Sequence, residues 1–262
     1  MNHDYYKEYY DLERSHWWFK AREVIIKNNI KSIVADSKKA KPLEILNIGC
    51  STGRSSEYLS EFGEVTSIEY DEFCCVFARE KTGLEIIHGS ITELPFAEKA
   101  FDLVCAFDVV EHLEDHQLAV NEMKRVAKQN ATIFITVPAF MSLWSHHDEI
   151  NHHFRRYRKG EIEKLFEKEN DGKREQSTYF NFFLFTPIYL FRRISSIFKF
   201  AQKRKGAGSD FEAFNPGLIN TLLFQIMKFE SFFVTKNITL PFGVSILYSW
   251  KKKQSNENNS IY

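Results

Sequence analysis

Side chains able to do chemistry gather in three stretches. The first is Asn47-Ile48-Gly49-Cys50-Ser51-Thr52-Gly53, where two glycines interrupt the passage from an apolar run to a polar, helix-like segment. Glycine allows backbone conformations and close approaches that a Cβ hinders. A helix opening there presents unpaired N–H groups at its first turn, which suit a carboxylate, ribose or phosphate. The second is Glu69, which ends the run Val65-Thr66-Ser67-Ile68. It stands about twenty positions after Gly49, the spacing at which an acid in a dinucleotide-type fold meets ribose hydroxyls. Two vicinal hydroxyls can donate to its two oxygens. The third stretch is Ser145-His146-His147-Asp148-Glu149-Ile150-Asn151-His152-His153-Phe154-Arg155-Arg156-Tyr157. Imidazole titrates near neutrality and suits general-base work. His147 or His153 can pair with Asp148 as base and orienting acid, and Arg155 and Arg156 can clamp a phosphate or carboxylate. Each stretch also has a plain structural reading: a βα turn, a solvated strand-end acid and a polar loop.

These residues need a scaffold, and the hydrophobic pattern describes one. Residues 3–35 read as helical, with Ile25, Ile26, Ile30, Ile33 and Val34 at helical spacing. Within them lie Trp17 and Trp18, two neighbours that cannot both face one stripe. One packs on the core while the other covers a cleft. The expected strands are Leu43–Ile48, Val65–Glu69, Leu84–His88, Phe101–Phe107 and Ala131–Val137. The helices between them are a segment to Phe62, Asp71–Glu80 and Asp115–Lys128, the last with Leu118, Met123 and Val126 on one side. Strand and helix alternate, which gives a doubly wound α/β sheet. Ligands of such sheets bind outside the carboxyl ends of the strands, where Gly49, Glu69, Ser90, Asp108 and Pro138 fall.

Composition sets the outer limits. The chain has 262 residues, with Lys+Arg and Asp+Glu both at 35, so no global charge favours nucleic acid. Cys50, Cys74, Cys75 and Cys105 show no paired spacing and read as reduced, buried small residues. The N-terminal residues lack a basic and then apolar leader pattern. The longest apolar stretch, Phe182–Phe191, contains Pro187 and is shorter than the ~20 residues a bilayer span needs.

With these residues in place, the chain resembles a class I S-adenosylmethionine-dependent methyltransferase. The resemblance rests on Asn47–Gly53, the Glu69 strand end, Leu94-Pro95-Phe96 and Phe101-Asp102-Leu103-Val104 followed by Val110-Glu111-His112-Leu113. It implies a Rossmann-like seven-stranded sheet, mostly parallel with an antiparallel last strand, and S-adenosyl-L-methionine as cofactor. Asn47, Gly49, Cys50, Ser51 and Gly53 would approach its methionine part. Glu69 would hold the ribose, Tyr70 the adenine face, and Ser90 and Ile91 the adenine edge. Asp108 and Val109 would sit near the sulfonium. Ser51 stands where the family most often has glycine, and Ser90 where it has aspartate. A nicotinamide-dependent reductase is the rival, but its third glycine is replaced by Arg54 and Ser55. Asp108, Glu111 and His112 repeat a spacing found in quinone-type O-methyltransferases that use a divalent ion, and carboxylates with an imidazole suit one. The same Glu-His-Leu also opens a helix in members without metal.

A looser resemblance covers His16–Arg22, Leu143–Asp148, His153–Tyr157 and Pro241–Ser245. It points to a bacterial and archaeal methyltransferase group that occurs beside polysaccharide functions, and implies a glycan or lipid-linked acceptor. Trp17, Trp18, Arg22, Trp144, Arg155, Arg156 and Tyr157 are the expected acceptor-side residues, with O-methylation of a small-molecule or lipid-linked hydroxyl as the expected reaction. The sixth and seventh strands are expected at Ser177–Phe183 and Val244–Trp250. Between them, Thr186–Phe200 and Leu218–Val234 read as apolar helices separated by the basic loop 203–209. The expected layout has an N-terminal helical segment (1–36) over the cleft, a core (37–183 and 241–252), an insertion (184–240) and a disordered tail (253–262). The insertion is either a helical cap over the acceptor or an amphipathic element in a membrane interface. A cytoplasmic enzyme, peripheral on the inner face of the membrane in the second case, follows. A catalytically inactive membrane-associated protein that keeps the fold is the non-enzyme alternative, and nothing in the sequence sets an oligomeric state.

Overall fold

The computed structural model describes residues 3–37, 42–167, 170–197 and 217–254. Its centre is a seven-stranded sheet of β1 (Leu43–Ile48), β2 (Gly63–Glu69), β3 (Ile86–His88), β4 (Phe101–Phe107), β5 (Ala127–Pro138), β6 (Gly172–Phe180) and β7 (Ser245–Lys252). The order is β3-β2-β1-β4-β5-β7-β6. The pairs among β1 to β5 are parallel, and β7 alone runs antiparallel to its neighbours β5 and β6. This is the expected doubly wound, mostly parallel sheet. Every residue of β4 is buried, as in a parallel strand covered on both faces.

Two helical layers supply that cover. On one face lie α2 (Trp17–Ser37), α3 (Arg54–Leu59) and α9 (Gly217–Thr235). Ile25, Ile26 and Ile30 of α2 join Met227 and Val234 of α9 over Ile45, Leu103, Cys105, Phe134 and Leu247 of the strands. Each such aliphatic side chain, fully buried, stabilises by about 2 kcal/mol. On the other face α5 (His116–Val126) and α7 (Lys159–Glu167) place Ala119, Val120, Met123, Ile162 and Phe166 against Leu46, Val104, Ile133, Tyr248 and Trp250. Helix α4 (Glu72–Thr82) covers the β2–β3 edge with Cys75 and Ala78. All four cysteines are buried and free.

Several boundaries differ from the sequence expectation, each for a local reason. The N-terminal helical segment breaks at His16 into α1 (His3–Ser15) and α2. Asn220 of α9 clips the break, accepting from Trp17 N (2.6 Å) and donating to Ser15 O (3.2 Å). Leu118 is exposed because Asp115 caps α5 at Gln117 and Leu118 and turns Ala119, Val120, Met123 and Val126 inward instead. Strand β5 begins at Ala127, where Ala127 pairs with Phe101 before a register shift. Strand β6 spans Gly172–Phe180 rather than Ser177–Phe183. Its first half is a charged edge that reads as loop, and Asn181 (φ 59°) ends it. The tail boundary also moves, since Lys253 N donates to Asp171 O (2.8 Å). The basic loop 203–209 and residues 255–262 lie outside the described residues.

The insertion carries α8 (Phe185–Ile197) and α9. Its anchor is Glu230, fully buried on α9. The carboxylate accepts from the backbone N–H of Asn181, of Phe182 (2.8 Å) and of Phe183 (3.2 Å). Three donors at the turn after β6 thus depend on one side chain. Leaving buried donors unpaired costs about 1–3 kcal/mol apiece before relaxation. Glu230→Ala should therefore lower unfolding free energy by roughly 3 kcal/mol in urea melts, and an unchanged midpoint would show that the turn does not rely on it.

Candidate active site

The strand carboxyl ends open onto a cavity of about 740 Å³. Gly49, Cys50 and Ser51 form its floor after β1, Glu69, Tyr70 and Asp71 follow β2, Ser90 and Ile91 follow β3, and Asp108 and Val109 follow β4. These include nine of the residues expected from the sequence. The other two stand behind the wall. Asn47 is fully buried and donates to Ser55 (2.8 Å) and Ser56 (3.0 Å), which ties β1 to α3. Gly53 precedes α3 at φ 90°. Gly49 has a positive φ of 70°, and a Cβ built there meets a Val109 methyl at 2.5 Å. No side chain fits at that corner.

Glu69 braces the turn. Its carboxylate accepts from Ser51 N (2.8 Å), Tyr70 N (2.8 Å) and Asp71 N (3.1 Å). Burial pushes the carboxyl up from its ordinary range, and the three N–H donors pull it back. Tyr70 is exposed, so its ring is available as a flat apolar surface.

The N-terminal helices roof this cavity, and the sequence reading missed most of the roof. Tyr6, Tyr9 and Glu13 line it from α1, Phe19, Arg22 and Glu23 from α2. The spacing of Tyr6, Tyr9 and Glu13 places them on one helical face; that periodicity was the available signal. Tyr6 donates to Asp71 (2.9 Å), and Arg14 pairs with Glu57 (2.8 Å). Glu13 accepts from the Thr52 hydroxyl. Burial raises the Glu13 carboxyl to about 7, against the pull of Thr52 and of Arg14, Arg22 and Arg54. Arg22 crosses the cavity to Asp108 (2.6 Å) and donates to Thr136 (2.9 Å).

A second cavity of about 160 Å³ adjoins the first. Asp108, His112, Asn151, Tyr9 and Phe19 border both. Its remaining walls include Trp17 and Trp18, Glu111, His147, His153, Arg156, and Ile188 and Arg192 of α8. Trp17 is buried and Trp18 half-buried, stacked on Phe180 at 6.2 Å. Asp148 is fully buried behind this cavity. It caps α6 (His146–Ile150) at Ser145 N (2.9 Å) and contacts His153 Nδ1 (2.8 Å) and Arg156 Nε (2.8 Å). Burial alone would raise this carboxyl, but His153 and Arg156 hold it well below the usual range. Burial and the neighbouring His153 push His112 down to about 4.

Three expected acceptor residues reach neither cavity. Trp144 is half-buried beyond the turn Met141–Leu143. Arg155 donates to Glu114 O (2.8 Å) and lies beside His116. Tyr157 is buried, 2.9 Å from His116 Nδ1. The alternation that placed Arg155 and Arg156 side by side in sequence sends only Arg156 inward. The expected Asp108–Glu111–His112 cluster also regroups. Asp108 turns to Arg22, and His153 joins Glu111 and His112 instead.

Fold and site together define a class, a Rossmann-like sheet with a glycine turn, a strand-end acid and two adjoining cavities. The comparisons narrow that class. Residues 46–135 match the family model described as a methyltransferase domain. A protein of Mycolicibacterium smegmatis described as a probable S-adenosylmethionine-dependent methyltransferase is 26% identical over 129 residues, 48% of each chain. Demethylmenaquinone methyltransferase of Staphylococcus aureus is 28% identical over 129 residues, 44% of this chain and 54% of that one. The chain spans about half the length of the curated relatives it matches. Among solved structures, a chain of the complex between the Haloferax volcanii Trm112 methyltransferase activator and a methyltransferase superposes with a TM-score of 0.57, at 14% identity, covering 96% of this chain and 97% of that one. The [4+2]-cyclase SpnF superposes at 0.54 with 13% identity, covering 87% and 81%. The match to a methyltransferase domain over residues 46–135 takes in the glycine turn, Glu69 and Asp108, and the description of the Mycolicibacterium relative agrees with it.

Glu13 gives this site a measurable pH signature. Its folded value, about 7, lies above its ordinary 4.5. The folded chain therefore binds more protons than the unfolded chain between those values, so this group's contribution to stability falls as pH rises through that window. Glu13→Gln should remove that part of the slope in melts from pH 4.5 to 7.5. An identical slope in the variant would show that Glu13 is ionised throughout.

Proposed function

We propose that the chain transfers a methyl group from S-adenosyl-L-methionine, seated in the larger cavity, to a hydroxyl of an acceptor in the smaller one. The observation that carries the reading is the convergence of Gly49–Ser51, Glu69–Tyr70, Ser90–Ile91 and Asp108–Val109 on one cavity, within a methyltransferase domain. The residues fit the cofactor. The Gly49 corner admits backbone and no Cβ, Glu69 offers a carboxylate for a diol, and Tyr70 offers an exposed ring. When bound, the cofactor supplies a sulfonium methyl whose transfer breaks the C–S bond, leaves a neutral thioether and forms a C–O bond to the acceptor.

The protein's task is alignment and proton management, since alignment alone can account for about 7–11 kcal/mol of a barrier. Asp108 and Arg22, at the junction of the chambers, fix the approach. The acceptor hydroxyl must give up its proton, and His147 and His153 stand on that side, the latter oriented by Asp148. Arg156 and Arg192 border the same chamber and suit an acidic or phosphorylated acceptor. The family match ends at residue 135, before these residues begin, so the substrate of the Staphylococcus relative is not carried over.

Calorimetry with S-adenosylhomocysteine tests the cofactor seat. Micromolar binding is expected, with Glu69→Ala at least tenfold weaker; no binding by the wild type at millimolar ligand would sink the reading.

A lipid-linked acceptor is the finer reading, supported by the outer face of the insertion. Leu218, Leu222, Phe229 and Phe232 of α9 are all exposed at helical spacing, and Leu190 and Ile194 of α8 are exposed too. Among the described residues no helix is long and apolar enough to cross a membrane. An apolar helical face with basic neighbours binds at the interface instead, and Arg193 and Lys228 lie on these helices. The wild type should float with anionic phosphatidylglycerol vesicles, and the variant with Leu218, Leu222, Phe229 and Phe232 all changed to Ser should not. A wild-type chain that stays at the bottom of the gradient removes this support.

A further inference from the structure

The acceptor-side reading leaves one group unexplained. Glu111 is fully buried, and among the described residues neither carboxylate oxygen has a hydrogen-bond partner. An isolated carboxylate in such a place is costly unless it is paired, protonated or bound to a metal. Arg22 and Arg156 act on Glu111 electrostatically without hydrogen-bonding it, and two imidazoles lie close by. Ligand atoms of Glu111, His112 and His153 all lie within 4.8 Å of one another, and the His112 and His153 rings stand edge to face with centroids 4.5 Å apart. All three residues border the second cavity.

The structure assigns to Glu111, His112 and His153 a site for a divalent first-row transition ion of the zinc type, open toward the acceptor chamber. The donor chemistry selects the ion: two imidazoles and one carboxylate suit zinc and its neighbours, whereas magnesium and calcium prefer all-oxygen sets. Two histidines and a glutamate with one position left for another ligand make a catalytic-type zinc set. Bonds near 2.1 Å in a tetrahedron place donors about 3.4 Å apart, inside the 4.8 Å that bounds the present spacing.

A second, independent feature supports the site. His153 Nδ1 is held by the buried Asp148 carboxylate at 2.8 Å, which leaves Nε2 as its ligand atom. A carboxylate on the far nitrogen is how ligand histidines are commonly fixed in tautomer and orientation. Arg156 Nε contacts the same Asp148 oxygen (2.8 Å), so the orienting acid is itself anchored. Asp108 is not counted as a ligand, because its carboxylate engages Arg22 at 2.6 Å.

This inference rests on the reading of the smaller cavity as the acceptor chamber and changes the division of labour there. His153 becomes a ligand, His147 remains as the proton-accepting imidazole, and the cation favours an acceptor that presents oxygen to it.

The test uses the full chain after chelator treatment. Zinc chloride is titrated by calorimetry, cobalt(II) by visible absorption, and S-adenosylhomocysteine binding is measured on the same preparations. One equivalent of zinc is expected, with cobalt bands of a four- or five-coordinate site. Glu111→Gln and His153→Gln should each weaken zinc at least tenfold while leaving S-adenosylhomocysteine binding intact, since neither residue lines the larger cavity. Wild-type protein that binds S-adenosylhomocysteine but no zinc overturns the cation site and spares the cofactor reading. Zinc binding unchanged in both variants also overturns it. Failure to bind either ligand overturns both.

Discussion

The ion pair between Arg22 and Asp108 joins the N-terminal roof to the sheet. Arg22 comes from α2, and Asp108 follows β4 in a left-handed conformation (φ 55°). Their atoms meet at 2.6 Å with the arginine side chain 13% exposed. Burying such charges costs desolvation energy that a well-packed apolar pair would not incur. Thr136 offsets part of it by accepting from Arg22 and contacting Asp108 at 3.3 Å. The pair sits where the two chambers meet, so removing either partner would strand a charge at the junction of both. Its position explains why a polar contact occupies a place that packing alone would fill with an apolar one.

From that junction the two chambers diverge in how they are built. Beneath its side-chain roof, the floor of the larger is framed mainly by backbone: a glycine corner, three N–H groups on Glu69, and strand ends in parallel register. Such features tolerate little variation in geometry. The smaller is framed by side chains from many separate segments, among them α1, α2, the turn Val110–His112, residues 147–156 and α8. One sheet can carry different chemistries because the strand-end frame is constant and the side-chain chamber is free to change.

The same division decides what could be read from the sequence. The alternation of strand and helix, the glycine turn and Glu69 were legible because each depends on residues within about twenty positions, through periodicity and turn chemistry. The chamber was not legible because its contacts are long-range. Arg22 with Asp108, Glu13 with Thr52, and His153 with Glu111 all join distant elements. The histidine-rich stretch announced itself by composition, but spacing could not say that Arg156 turns inward while Arg155 and Tyr157 pack around His116. The edge strand β6 hid for a different reason. Edge strands keep charged residues to discourage further pairing, and Lys173, Arg174 and Glu175 therefore look like loop.

The insertion then serves two surfaces at once. Its inner side is fixed by specific polar contacts. Glu230 holds the turn after β6, Asn220 clips the α1–α2 break, and Arg192 donates to Leu143 O at 2.7 Å. These hydrogen bonds fix the insertion to the core, and its α8 side chains Ile188, Phe191 and Arg192 form one wall of the smaller cavity. Its outer side is a row of exposed leucine and phenylalanine that nothing in the fold requires. Ile188 and Phe191 of α8 line the chamber while Leu190 and Ile194 of the same helix face outward. One helix thus connects the apolar exterior to the place where the acceptor is proposed to sit.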